Sequence, residues 1–83
     1  MIDNDISIVI LTPIVSNLHL RDAPSLTGNF IRFLNIGDKL RLIEIGNEET
    51  INGDKGSWVK VLTNKNEIGW CFNAYLEELK TDE

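Results

Sequence analysis

The sequence predicts an all-β domain, a small partly open barrel of five to six short strands with a single 3-10 turn near its C-terminus. Two observations predict it. β-Branched and aromatic residues come in short groups separated by Gly, Asn, Asp and Pro, the pattern of many short strands, while helix signals are poor. Five or so such strands in 83 residues cannot leave their edges open without risking aggregation, so closure into a barrel is the economical arrangement.

Each element can be justified in turn. Ile6 to Thr12 reads as a first strand, stopped by Pro13, which cannot donate to a ladder. In Asn17 to Arg21, Leu18 and Leu20 point one way and His19 and Arg21 the other. Asp22 to Asn29 is a loop rich in turn formers, Phe30 to Leu34 a short apolar segment, and Asn35-Ile36-Gly37-Asp38 a turn. Lys39 to Ile45 alternates, with Leu40 and Leu42 on one face. Gly46 to Gly56, GNEETINGDKG, reads as a long polar loop. Ser57 to Thr63 alternates again, placing Val59 and Val61 inward and Trp58 and Lys60 on the opposite face, so that the Trp58 indole is expected to face water. Thr63 to Asn66 reads as a tight hairpin turn and Glu67 to Phe72 as the return strand, with Gly69 where a backbone approaches closely. Asn73-Ala74-Tyr75-Leu76 is too short for more than one 3-10 turn.

A chain of this length holds one core, placed here at residues 6–77, with 1–5 and 78–83 as frayed tails. Apolar residues make up 42% and charged residues 25% of the chain, values that argue against disorder. The net charge of −5 and the scatter of the eight basic residues argue against nucleic-acid binding, which rests on Lys and Arg neutralising phosphates. No apolar run approaches the ~20 residues of a spanning helix, so no membrane insertion is expected. The single cysteine, Cys71, excludes an intramolecular disulfide and makes a thiolate metal cluster implausible; no metal and no cofactor is expected.

The order of landmarks resembles the bacterial Src-homology-3-like (SH3-like) domain. Leu18-His19-Leu20-Arg21-Asp22-Ala23-Pro24-Ser25 matches its Leu-x-hydrophobic-Arg strand and the Pro-Ser loop after it. Ile36-Gly37-Asp38-Lys39 matches its Gly-Asp turn, Gly56-Ser57-Trp58-Val59-Lys60-Val61 its Gly-x-Trp strand, and Gly69-Trp70 to Tyr75-Leu76 its closing segment. The match covers roughly residues 14 to 77. Asp22-Ala23 replaces the more usual small pair before Pro, and the Gly46–Gly56 segment is longer and more acidic than is typical. The resemblance implies an SH3-like barrel acting as a non-catalytic module that binds a peptide, a peptidoglycan stem or a protein partner. It implies attachment to cell-envelope proteins; the residues themselves specify no compartment.

The candidate ligand-binding residues are Trp58, Tyr75, Trp70, Glu48, Glu49 and Asp54. An exposed Trp58 would anchor a ligand; alternatively it covers loop atoms. Tyr75 would stack on a ligand, or its hydroxyl would tie the turn to the barrel. Trp70 packs in or against the core or touches ligand. Glu48, Glu49 and Asp54 form either an acidic rim or a solvated loop. No row of tyrosines follows the first strand, so recognition of proline-rich peptides loses its support. Catalysis is not expected. Cys71 and His19 make a possible thiol–base pair, but a small barrel is filled by its own side chains and offers no cleft for an oxyanion hole. The rival to ligand binding is a structural or docking role, in which the exposed aromatics pack on a larger protein or on a second copy as a homo-oligomer.

Overall fold

The computed structural model describes residues 8–79. Seven strands and one short 3-10 helix follow in order: β1 Ile10–Pro13, β2 Leu18–Arg21, β3 Phe30–Leu34, β4 Leu40–Ile51, β5 Asp54–Thr63, β6 Ile68–Phe72, η1 Asn73–Tyr75 and β7 Leu76–Leu79. All belong to one antiparallel sheet of order β3-β2-β6-β5-β4-β1-β7, curled into a half-barrel with β3 and β7 at its two edges. The all-β, partly open SH3-like architecture is the one the sequence predicts, with more strand than expected.

Alternation decides which side chains fill the inside. Leu20, Leu34, Leu40, Val59, Val61 and Cys71 form the buried core, and Leu11, Leu18, Leu42 and Leu76 pack against it. Val59 lies opposite Cys71 and Val61 opposite Gly69 across the β5–β6 ladder. Gly69 is required there: a Cβ at this position would sit 2.9 Å from the Arg21 carbonyl oxygen and from the Leu20 side chain, where β2 crosses onto β6.

Two departures from the sequence reading matter. The segment 46–56 is no loop but the distal half of a long β-hairpin, since β4 runs on to Ile51 and β5 begins at Asp54. Its turn is Asn52-Gly53, with φ of 52° and 84°, the pair of left-handed residues that a two-residue type I′ connection needs. The register shifts between Leu42 and Glu44 and again between Ile45 and Glu48. Such bulges bend a ladder and sharpen its twist.

The second departure is β7. Leu76–Leu79 pairs with β1, Leu79 facing Ile10 and Leu76 facing Pro13, so Glu78 and Leu79 belong to the sheet rather than to a tail. The expected tails at 1–5 and 80–83, and the first residues of the expected strand at Ile6, lie outside the described residues.

Candidate functional site

The curl of the sheet leaves a groove with a cavity volume of about 260 Å3. Four segments build it: residues 15–21 entering and forming β2, the loop 22–29, the tip of the β4–β5 hairpin, and the end of β6 with η1. Trp58 and Phe72 line it together with Tyr75; Leu18, Leu26 and Ile51 add apolar walls, and Asn17, His19, Arg21 and Asn52 the polar ones.

Each wall is fixed by local chemistry. The loop 22–29 is closed by Asp22, whose carboxylate accepts hydrogen bonds from the Asn29 backbone N–H at 2.8 Å and the Asn29 side-chain amide at 3.1 Å. The Asp22 N–H donates to the Asn29 carbonyl, and Arg21 Nη1 donates to the Gly28 carbonyl at 3.1 Å. This clasp holds Leu26 over the groove. The turn η1 is held from two sides: the Ser57 N–H donates to Asn73 Oδ1 at 2.9 Å, and the Ile14 N–H donates to the Tyr75 carbonyl at 2.9 Å. The Tyr75 hydroxyl then donates to Asp54 Oδ2 at 2.8 Å, tying η1 to the hairpin. That bond, with the Asp54 charge beside it, pushes the phenol's pKa above its ordinary value.

Trp58 is the main correction. It points away from Val59 and Val61, as the alternation predicts, but it is only 2% exposed rather than facing water. The reason lies in its neighbours: Phe72 stands directly opposite Trp58 in the β5–β6 ladder, and η1 packs against the same strand beside it. Phe72 stacks edge-on against the indole with ring centroids 5.4 Å apart, and Tyr75 continues the row at 5.9 Å from Phe72. The indole Nε1–H donates to Glu49 Oε1 at 2.7 Å. Trp58 is thus part of the groove's floor, enclosed among aromatics and a carboxylate and separate from the aliphatic core.

The remaining candidates are placed apart. Trp70 is half-buried on the outer face of β6, against Gly46 and with the Lys60 ammonium 6.0 Å from its ring centroid, and does not line the groove. Glu48 is exposed on β4 opposite Ser57. Glu49 and Asp54 use their carboxylates to hold Trp58 and Tyr75, and neither side chain lines the groove. Cys71 lies in the core, where burial pushes its thiol up to about 12. His19 is on the outside, its ring edge-on to Phe30 and Phe33 at 5.0 and 5.1 Å. A thiol kept protonated inside the barrel and a histidine outside it cannot act as a nucleophile–base pair.

The sequence reading missed Leu18, Leu26, Ile51 and Phe72 as groove residues. Leu26 carries the clearest signal in retrospect: a lone large apolar side chain in a polar loop, 49% exposed.

The family model of the bacterial SH3 domain matches residues 16–77. No curated protein and no solved structure matches the chain.

Proposed function

The chain belongs to the bacterial SH3 domain family, whose members are generally non-catalytic binding modules, and from that membership we propose that it holds an extended peptide, a peptidoglycan stem or a segment of a protein partner in the groove between the hairpin tip, the loop 22–29 and η1. The observation that carries this reading is the groove's construction. Aromatic and aliphatic side chains from separate segments converge on one concavity, with a few polar groups at its margin, which is the composition of a ligand site. Trp58 serves as the floor and Tyr75 as the wall a ligand stacks on. Glu49 and Asp54 act one step back, fixing those rings, in place of an acidic rim.

Titrating 15N-labelled protein with short apolar peptides tests it. The amides of Leu18, Leu26, Ile51, Asn52 and Tyr75 are expected to shift first. Shifts confined to other surfaces would overturn the assignment.

A second reading, docking on a larger protein or self-association, is favoured by a different observation. The edge strand β3 exposes Phe30, Ile31 and Phe33, and the two phenylalanine rings lie against His19 at the margin of the groove. Light scattering at increasing concentration tests it: this reading requires a mass that rises above the monomer, and a constant mass removes self-association.

A further inference from the structure

We propose that the groove captures the C-terminal residue of a peptide, with a large apolar side chain against Tyr75, Leu26 and Ile51 and the terminal carboxylate on the Arg21 guanidinium. This rests on the groove reading above and names the chemistry of its ligand.

Few polar atoms of the groove remain free to meet a ligand. The indole N–H of Trp58 is donated to Glu49 and the phenol O–H of Tyr75 to Asp54, at 2.7 and 2.8 Å. Trp58 and Phe72, each 2% exposed, close the bottom of the groove, and half-buried Tyr75 is the ring left to meet a ligand, its hydroxyl already engaged. The polar groups left at the wall are those of Asn17, His19, Arg21 and Asn52.

Charge points the same way. The chain carries 13 acidic and 8 basic residues, yet no Asp or Glu lines the groove, while Arg21 does. Arg21 forms no ion pair among the described residues, where the one bridge present joins Arg32 to Glu67. Its nearest acid by sequence, Asp22, is occupied by Asn29. One guanidinium nitrogen of Arg21, Nη1, is fixed on the Gly28 carbonyl. The fork is thereby oriented while its other N–H groups have no protein acceptor among the described residues. A pre-oriented, half-buried guanidinium beside an apolar floor matches a carboxylate in both geometry and charge.

Size selects the chain end over an acidic side chain. About 260 Å3 lies just under the ~300 Å3 at which small-molecule sites begin. A terminal Leu or Phe carries its apolar group and its carboxylate on one Cα, so a single residue satisfies the apolar walls and Arg21 together. An internal glutamate supplies the charge but needs a second residue for the walls.

The test compares three probes on the intact domain by calorimetry and 15N chemical-shift mapping: N-acetyl-Ala-Leu-Phe as the free acid, the same peptide as its C-terminal amide, and the amide of N-acetyl-Ala-Glu-Phe. The free acid is expected to bind about tenfold or more tightly than its amide, the scale of one charge-assisted hydrogen bond. Arg21→Gln is expected to erase that preference. The acid-over-amide comparison is made on the unaltered chain, so it stands even if the variant folds poorly. Equal binding of acid and amide at the groove overturns the carboxylate assignment and leaves the groove reading intact. Binding of the Glu-containing amide as tight as the free acid overturns the choice of the chain end. Absence of groove shifts with all three probes overturns both.

Discussion

Glu49 stands between two possible lives for Trp58. A buried indole with its N–H unpaired would be costly, whereas one paired to a carboxylate can remain in place as a rigid floor. Glu49→Ala removes the acceptor and is expected to destabilise the domain by ~1–3 kcal/mol in chemical denaturation, with Glu49→Gln, which keeps a carbonyl oxygen, recovering most of it. Trp58→Ala, by contrast, is expected to cost ~3–5 kcal/mol, because the whole ring is buried; a loss well under 1 kcal/mol would show the ring to be peripheral. Cys71 carries the pH prediction at this scale. Its thiol stays protonated in the fold up to about 12 against an ordinary 9.0. Below pH 9 folded and unfolded chains both hold the proton and stability is unaffected; as pH rises from there toward 12 the unfolded chain ionises first and stability falls. Tyr75 acts in the same direction, its phenol being raised by the bond to Asp54. Thermal melts across that range are expected to fall monotonically, and an aromatic disulfide reagent at pH 8 is expected to label Cys71 only as fast as the chain unfolds.

The β4–β5 hairpin is the element on which the groove depends, since its tip supplies Ile51 and Asn52 and its first strand the Glu49 carboxylate that holds Trp58. Gly53 holds φ of 84°, where a side chain is strained although no atom lies within 4 Å of its Cβ position. Gly53→Ala is expected to cost ~1–2 kcal/mol, the penalty of the left-handed conformation alone. The denaturation midpoint falls while its slope stays unchanged; a changed slope would mean that the hairpin had come apart instead. This hairpin also shows where a sequence is and is not legible. Ile51-Asn52-Gly53-Asp54 holds the Asn-Gly pair that marks a type I′ turn, yet the flanking Asn47-Glu48-Glu49-Thr50 and Lys55-Gly56 carry no apolar alternation to mark them as strands. Strands that alternate against a core, such as Val59 and Val61 in β5, are readable because burial imposes the period. β7 was hidden for a related reason: Leu76-Glu77-Glu78-Leu79 lacks strand alternation, its two leucines standing three apart as on a helix face, and its pairing with β1 is set by tertiary closure. For Trp58, alternation gave the correct side of the strand, but no local pattern states what a curled sheet will lay over that side.

At the scale of the whole molecule the sheet has two edges of opposite character. β7 exposes Glu77 and Glu78, charges that discourage a further strand. β3 exposes Phe30 at 49%, Ile31 at 38% and Phe33 at 45%, and its one charge, Arg32, is neutralised by the ion pair to Glu67, which holds that carboxyl below its ordinary pKa. Neither proline nor lysine interrupts Phe30–Leu34, so the usual protections of an edge are missing on this side alone. The burden of that surface falls outside the core and outside the groove: His19, which lines the groove, only borders it through its contacts with Phe30 and Phe33. The expected consequence is weak self-association through β3. Sedimentation of the unaltered domain is expected to show a mass that rises with concentration, and Phe33→Lys, which places a charge on the edge, is expected to hold it at the monomer. A constant monomer mass for both chains would mean that β3 is not a contact between copies. A rising mass that survives Phe33→Lys would place that contact elsewhere on the surface.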